Sequence, residues 1–132
     1  MKNTLTTFLL SALLIALAGS ALAADVNVTQ TGFTFDPADV TIQAGDTVIW
    51  SWSTGAHTVT SGVDLGDPDA GDLFDATLDS ANPTFSFTFN DAGVFPYFCR
   101  PHVSLGMTGT IRVEGSVAAE ATSWHAVKSL FQ

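Results

Sequence analysis

The sequence predicts an all-β fold, a sandwich or barrel of short strands, on three observations. Apolar and polar residues alternate in several separate runs between Asp25 and Glu114, the period of a strand with one buried face. Clusters of Gly, Pro, Asn and Asp separate the runs, and these residues end strands and supply turns. No helical stretch of useful length interrupts them. Many short strands so punctuated pack as two sheets or close into a barrel.

Residues 1–23 read as an export leader. Lys2 gives the positive start, Phe8 to Ala18 the apolar run, and Ala21-Leu22-Ala23 a small-residue cleavage site. The apolar run is short of the roughly 20 residues that cross a bilayer. Cleavage after Ala23 is therefore expected to release a soluble periplasmic or extracellular chain with no stable membrane insertion. No twin arginine precedes the run, which favours the general export route. No cysteine follows it to carry a lipid anchor.

Residues 24–115 then form one domain, long enough to fold without disulfides. Val26 and Val28 alternate, and Phe33 and Phe35 continue the pattern up to Pro37. Val40 and Ile42 follow, and Gly45-Asp46 turns the chain. Val48, Trp50 and Trp52 share one face of the next strand. Phe85, Phe87 and Phe89 make another run, ended by Asn90 to Gly93. Val94 to Cys99 and Thr108 to Val113 complete the set. Aromatic stripes of period two are what a sheet buries, so these rings are assigned to the core.

Residues 62–84 break the pattern. They hold six aspartates between Asp64 and Asp79 and little alternation, and read as a solvated connection pinned to the body by Phe74 and Leu78. The acid and glycine spacing does not match an EF-hand loop. A negatively charged docking surface is the third reading. Over residues 116–132, Val117, Ala121, Trp124, Val127 and Phe131 recur at helical intervals with Lys128 in the last turn. This predicts a short amphipathic C-terminal helix, too short to be stable alone in water.

The chemistry is concentrated in residues 95–109, FPYFCRPHVSLGMTG. A buried inert thiol is the common fate of a free cysteine. Cys99, however, is the single cysteine of a chain expected in an oxidising compartment, where metal ligation protects a thiol. His102 and Met107 share its loop. A thiolate, an imidazole and a thioether are soft or borderline donors that suit copper, and a copper site of this type takes two histidines, one cysteine and a weak methionine. His57, after the strand-like run Asp46 to Ser53, is a better second histidine than His125, which lies in the tail.

These stretches, FTFDPADVTIQAGDTVIWSW, GAHTV and YFCRPHVSLGMTGTIRVE, resemble the plastocyanin family of blue copper proteins, most of all halocyanin-type domains. The resemblance covers about residues 25–115. It implies a cupredoxin-like Greek-key β-sandwich and a single type 1 copper ion held by His57, Cys99, His102 and Met107. It also implies one-electron shuttling by Cu(I)/Cu(II), with His102 as the electron's doorway and Val103 and Leu105 as a dry patch around it. The implied partners are redox proteins, such as a c-type cytochrome or a membrane electron-transfer complex, and the expected state is a monomer. One departure is Thr58, where plastocyanins usually have asparagine; it touches the hydrogen bonding behind the ligands rather than the ligands themselves.

Other function classes fit less well. Structural zinc wants four closed ligands, for which methionine is poor. Thiol catalysis by Cys99 with His102 or His57 as base is opposed by the tight loop that Met107 shares. Three histidines in the whole chain are too few for multicopper chemistry. A copper carrier or store, the alternative non-enzymatic reading, usually uses several methionines, and Met1 apart there is only Met107. The formal net charge is −9, and about −10 once Lys2 leaves with the leader, which disfavours nucleic acid. Arg100, next to Cys99, is expected to place a positive charge beside the metal and so to favour an acidic partner there.

Overall fold

The computed structural model describes residues 22–115. The helix expected over 116–132, and the leader expected over 1–23 but for its last two positions, lie outside the described residues. Nine strands follow in order: β1 (Asp25–Thr31), β2 (Thr34–Asp36), β3 (Asp39–Gln43), β4 (Thr47–Ser51), β5 (His57–Ser61), β6 (Asp75–Leu78), β7 (Thr84–Thr88), β8 (Gly93–Phe98) and β9 (Thr108–Glu114). They form two sheets, β2-β1-β4-β7 and β3-β9-β8-β5-β6. The pairs β1–β4 and β3–β9 are parallel and the others antiparallel, so both sheets are mixed.

The alternating residues meet between the sheets. Val28, Val48 and Trp50 from one sheet are fully buried, as are Val59, Tyr97 and Ile111 from the other. Phe74, Phe85, Phe87 and Phe89 pack ring against ring, with successive centroids 4.9–5.8 Å apart. Tyr97 lies edge-on to Trp50 at 5.3 Å. Its hydroxyl and the Trp50 Nε1 have no partner among the described residues, and burial pushes the Tyr97 hydroxyl up to about 12. Gly109 faces Tyr97 across β8–β9, and a Cβ there would collide with the Tyr97 ring and the Ala38 carbonyl.

Two expectations need correction. The segment 62–84 contains a strand, β6, which pairs with β5. Phe74 and Leu78 are buried as expected, each stabilising the attachment by about 1.5–3 kcal/mol, and strand pairing accompanies the anchoring. The alternation from Val26 to Phe35 is also not continuous. Gly32, at φ 57°, turns the chain between β1 and β2, so Phe35 enters the core while Phe33 stays 53% exposed. Gln30 takes an inward position on β1 and is fully buried.

Candidate metal centre

β5, β8 and the connection to β9 bring the chemistry together. His57 opens β5, and Cys99 follows β8 directly. His102 lies in a short 3-10 helical turn region of six residues, Arg100–Leu105. Pro101 suits the start of that turn because its missing N–H has no intrahelical acceptor there. The turn stops at Gly106, whose left-handed φ of 82° costs glycine no Cβ clash. The loop then closes on itself. The Met107 N–H donates to the His102 carbonyl at 3.3 Å, and the Cys99 N–H donates to the Met107 carbonyl at 3.0 Å.

Three of the four expected ligands present their donor atoms to one another. Cys99 Sγ lies 3.6 Å from His57 Nδ1 and 3.4 Å from His102 Nδ1, and the two Nδ1 atoms are 3.2 Å apart. The centre of such a triangle is about 2 Å from each corner, the bond length of a small transition-metal ion to nitrogen or sulfur. His57, Cys99 and Met107 are buried and His102 is partly buried. Met107 is tied to both Cys99 and His102 through its backbone. His125 lies outside the described residues.

The tautomer of His57 follows from its surroundings. Its Nε2 is 2.9 Å from the Thr54 carbonyl, which can only accept, so Nε2 carries the proton and Nδ1 keeps its lone pair for a metal. Burial lowers the His57 pKa, partly offset by that bond, and the neighbouring His102 lowers it further. The imidazole is therefore neutral and ready to ligate at pH 7. Thr54 is itself held by Gln30, whose Oε1 accepts the Ser53 and Thr54 N–H groups at 3.0 and 3.2 Å. Gln30 Nε2 donates to the Gly32 carbonyl at 2.7 Å. Burial pushes the Cys99 thiol up, and the Thr58 N–H, 3.4 Å from Sγ, opposes the shift. The donor set of two imidazoles and a thiolate beside a buried methionine suits copper better than zinc.

Sequence reasoning missed Phe33, Gln30 and Thr54. Phe33 was assigned to the core by alternation. Its ring instead lies 4.6 Å from the His102 ring and 6.4 Å from the His57 ring. Gln30 takes the inward position after Val26 and Val28 on an alternating strand, where a buried amide is itself a signal because its hydrogen bonds must be met. The expected free charge of Arg100 is corrected too: its guanidinium donates to Asp75 through Nη2 at 2.7 Å and Nε at 3.1 Å. The two side chains neutralise each other beside the site.

Comparison with known proteins bears on this geometry. The profile of copper binding proteins of the plastocyanin/azurin family matches residues 22–114. Halocyanin of Natronomonas pharaonis is 41% identical over 86 residues, covering 63% of this chain and 50% of halocyanin. The chloroplastic plastocyanin of Tetradesmus obliquus is 33% identical over 113 residues, 76% of this chain and 77% of that protein. The chain thus spans half the length of the halocyanin it matches. Among solved structures, oxidized plastocyanin from Dryopteris crassirhizoma superposes with a TM-score of 0.56 at 24% identity, over 67% of this chain and all of that one. Amicyanin from Paracoccus versutus gives 0.53 at 27% identity, over 68% and 81%. The cupredoxin-like sandwich expected from the sequence is the fold of this chain.

Proposed function

Since the chain belongs to the plastocyanin/azurin family of copper-binding proteins, we propose that it is an exported type 1 blue copper protein that shuttles single electrons between redox partners. His57, Cys99 and His102 would hold the ion, with the Met107 thioether as the fourth, weak ligand. The observation that carries this reading is the triangle of two Nδ1 atoms and one Sγ with edges of 3.2–3.6 Å. Copper bound there supplies a one-electron couple. The chain's own part is to hold the ligands still, because a site that rearranges little between oxidation states exchanges electrons faster. Thr54 orients His57, the Thr58 N–H bonds the sulfur, and the Met107 backbone clamps the loop.

Electrons pass at the His102 side. His102 is the partly buried ligand, and Leu105 and Phe33 next to it are 62% and 53% exposed, an apolar contact for a redox protein. The partner is cationic, such as a c-type cytochrome or a membrane electron-transfer complex, and the protein works as a monomer without enzymatic turnover. The leader over residues 1–23 directs export to the periplasm or beyond, and residues 116–132 are dispensable for copper.

Copper titration of the protein from Ala24 onward tests this. The expected outcome is a reversible blue absorption that Cys99→Ser abolishes and His57→Ala damages. Met107→Leu keeps the colour and raises the potential, because the weak donor favours Cu(II). A colourless complex, or an unchanged spectrum in His57→Ala, overturns the assignment.

A further inference from the structure

The hydroxyl of Thr58, where the sequence departs from the plastocyanin pattern, belongs to a closed ring of hydrogen bonds. The Arg100 N–H donates to Thr58 Oγ1 at 2.8 Å. Thr58 Oγ1 lies 2.9 Å from Thr60 Oγ1, and Thr60 Oγ1 donates to Asp75 Oδ1 at 2.8 Å. A hydroxyl has one proton to give. That of Thr60 is spent on Asp75, so Thr58 is the donor to Thr60. The guanidinium of Arg100 closes the ring on Asp75 Oδ2.

The ring spans three pieces of chain. Thr58 and Thr60 lie on β5, Asp75 opens β6, and Arg100 begins the ligand turn. Thr58 follows His57, and Arg100 follows Cys99. One hydroxyl therefore joins the two ligand segments one residue away from each ligand. The ion pair alone contributes little, since its side chains are 37% and 39% exposed and such pairs are screened by water. The relay differs: Thr60 is fully buried, and every bond runs the same way toward a carboxylate, which strengthens each one.

Building on the copper reading above, we propose that Thr60 and Asp75 are positioning residues for the copper thiolate. Through Thr58 they fix the Arg100 amide, and with it the setting of Cys99 against the Thr58 N–H that bonds its sulfur at 3.4 Å. The strand from the acidic segment, β6, thereby helps to set the metal–sulfur bond without touching it.

Thr60→Val, Thr60→Ser and Asp75→Asn test the ring. In the copper-free protein, the Arg100 amide should exchange with solvent about tenfold faster in Thr60→Val than in the parent. In the copper-loaded protein, Thr60→Val should shift the thiolate charge-transfer band and lose copper to a chelator roughly 10–100-fold faster, the usual cost of removing a group behind a ligand. Thr60→Ser should restore all three readouts, and Asp75→Asn should move them in the same direction as Thr60→Val. Asp75→Asn carries the test alone if Thr60→Val does not fold, because residue 75 is exposed. Parent-like amide exchange and an unmoved band in the valine and asparagine variants overturn the proposal. So does a serine variant that behaves like valine. A parent protein without blue colour counts against the copper reading, while amide exchange in the copper-free form still reads the ring.

Discussion

At the scale of single residues, the site depends on polar groups whose directions are forced. Burial pushes the Cys99 thiol above its ordinary value and His57 below its own. The copper-free site near neutral pH is thus a protonated thiol facing a neutral imidazole. Loading with Cu(II) should release about one proton, and the apparent affinity should rise about tenfold per pH unit while the thiol is still protonated. A weakly buffered titration with a pH indicator reads this; the absence of proton release would mean that the thiolate is already formed. Gln30 makes a second residue-scale case. It is buried and bonds the Gly32 turn on one side and the 53–54 backbone on the other. Gln30→Leu fits the volume but orphans those groups, and should destabilise the protein by about 1–3 kcal/mol. His57 should also lose its fixed orientation, visible as a broadened imidazole signal in NMR. A stability equal to the parent's would show that water replaces the amide at no cost.

Among the secondary-structure elements, β8 and β9 matter most, because the ligand loop hangs between them. Their pairing runs from Gly93–Val113 to Phe98–Thr108, and Gly109 leaves room for Tyr97 midway along the upper half. Gly109→Ala should therefore overpack the core at a cost of about 1–3 kcal/mol. In a domain of about 100 residues this lowers Tm by roughly 5 °C or more, and faster copper loss should follow because the loop's base is displaced. An unchanged melting curve would show that Tyr97 swings aside freely. These strands were legible in the sequence for different reasons: β9 alternates through Gly109, Ile111 and Val113, while β8 is a run of aromatic and branched residues that follows the Asn90–Gly93 turn signal. The meeting of His57, Cys99 and His102 was legible too, because Cys99 and His102 share one short loop and only His57 and His125 compete to supply the second imidazole. β5 and β6 were less legible. β5 carries Thr58, Thr60 and Ser61, whose burial depends on partners such as Asp75 and the backbone of Leu73 and Phe74. Their pairing is non-local, and no window of the sequence contains it. Phe33 failed for a local reason: one glycine turn flipped the face that alternation assigned to it.

For the molecule as a whole, the net charge of −9 raises the question of what its field does. Most aspartates of the 64–79 segment have structural work. Asp64 accepts the Gly66 N–H, Asp67 the Val63 and Asp69 N–H groups, and Asp79 those of Ala81 and Asn82. Asp75 serves Arg100 and Thr60. Asp69 and Asp72 have no side-chain bond among the described residues. With Asp67 they line a cleft of about 410 Å³ whose apolar wall is Leu73, Val94 and Phe95. Arg100 cancels the charge of Asp75, its ion-pair partner, and leaves those of Asp67, Asp69 and Asp72 in place. Encounter with a cationic redox protein should be accelerated at low salt and slow as salt rises, since exposed charges are screened beyond about 8 Å at physiological ionic strength. Asp69→Asn with Asp72→Asn should lower the association rate without loosening the loop. The rate inside the docked complex should stay unchanged, because the apolar contact at His102 sets that path. Asp67→Asn is the poorer probe, as it also replaces one of the two oxygens that accept the Val63 and Asp69 N–H groups. Stopped-flow rates against one cationic and one anionic redox protein, across a salt series, separate the outcomes. A falling rate with the cation and a rising rate with the anion support an electrostatic docking surface. Flat salt dependence with both would leave the acidic segment with the roles of keeping the protein soluble and, through Asp75, supporting the ligand turn.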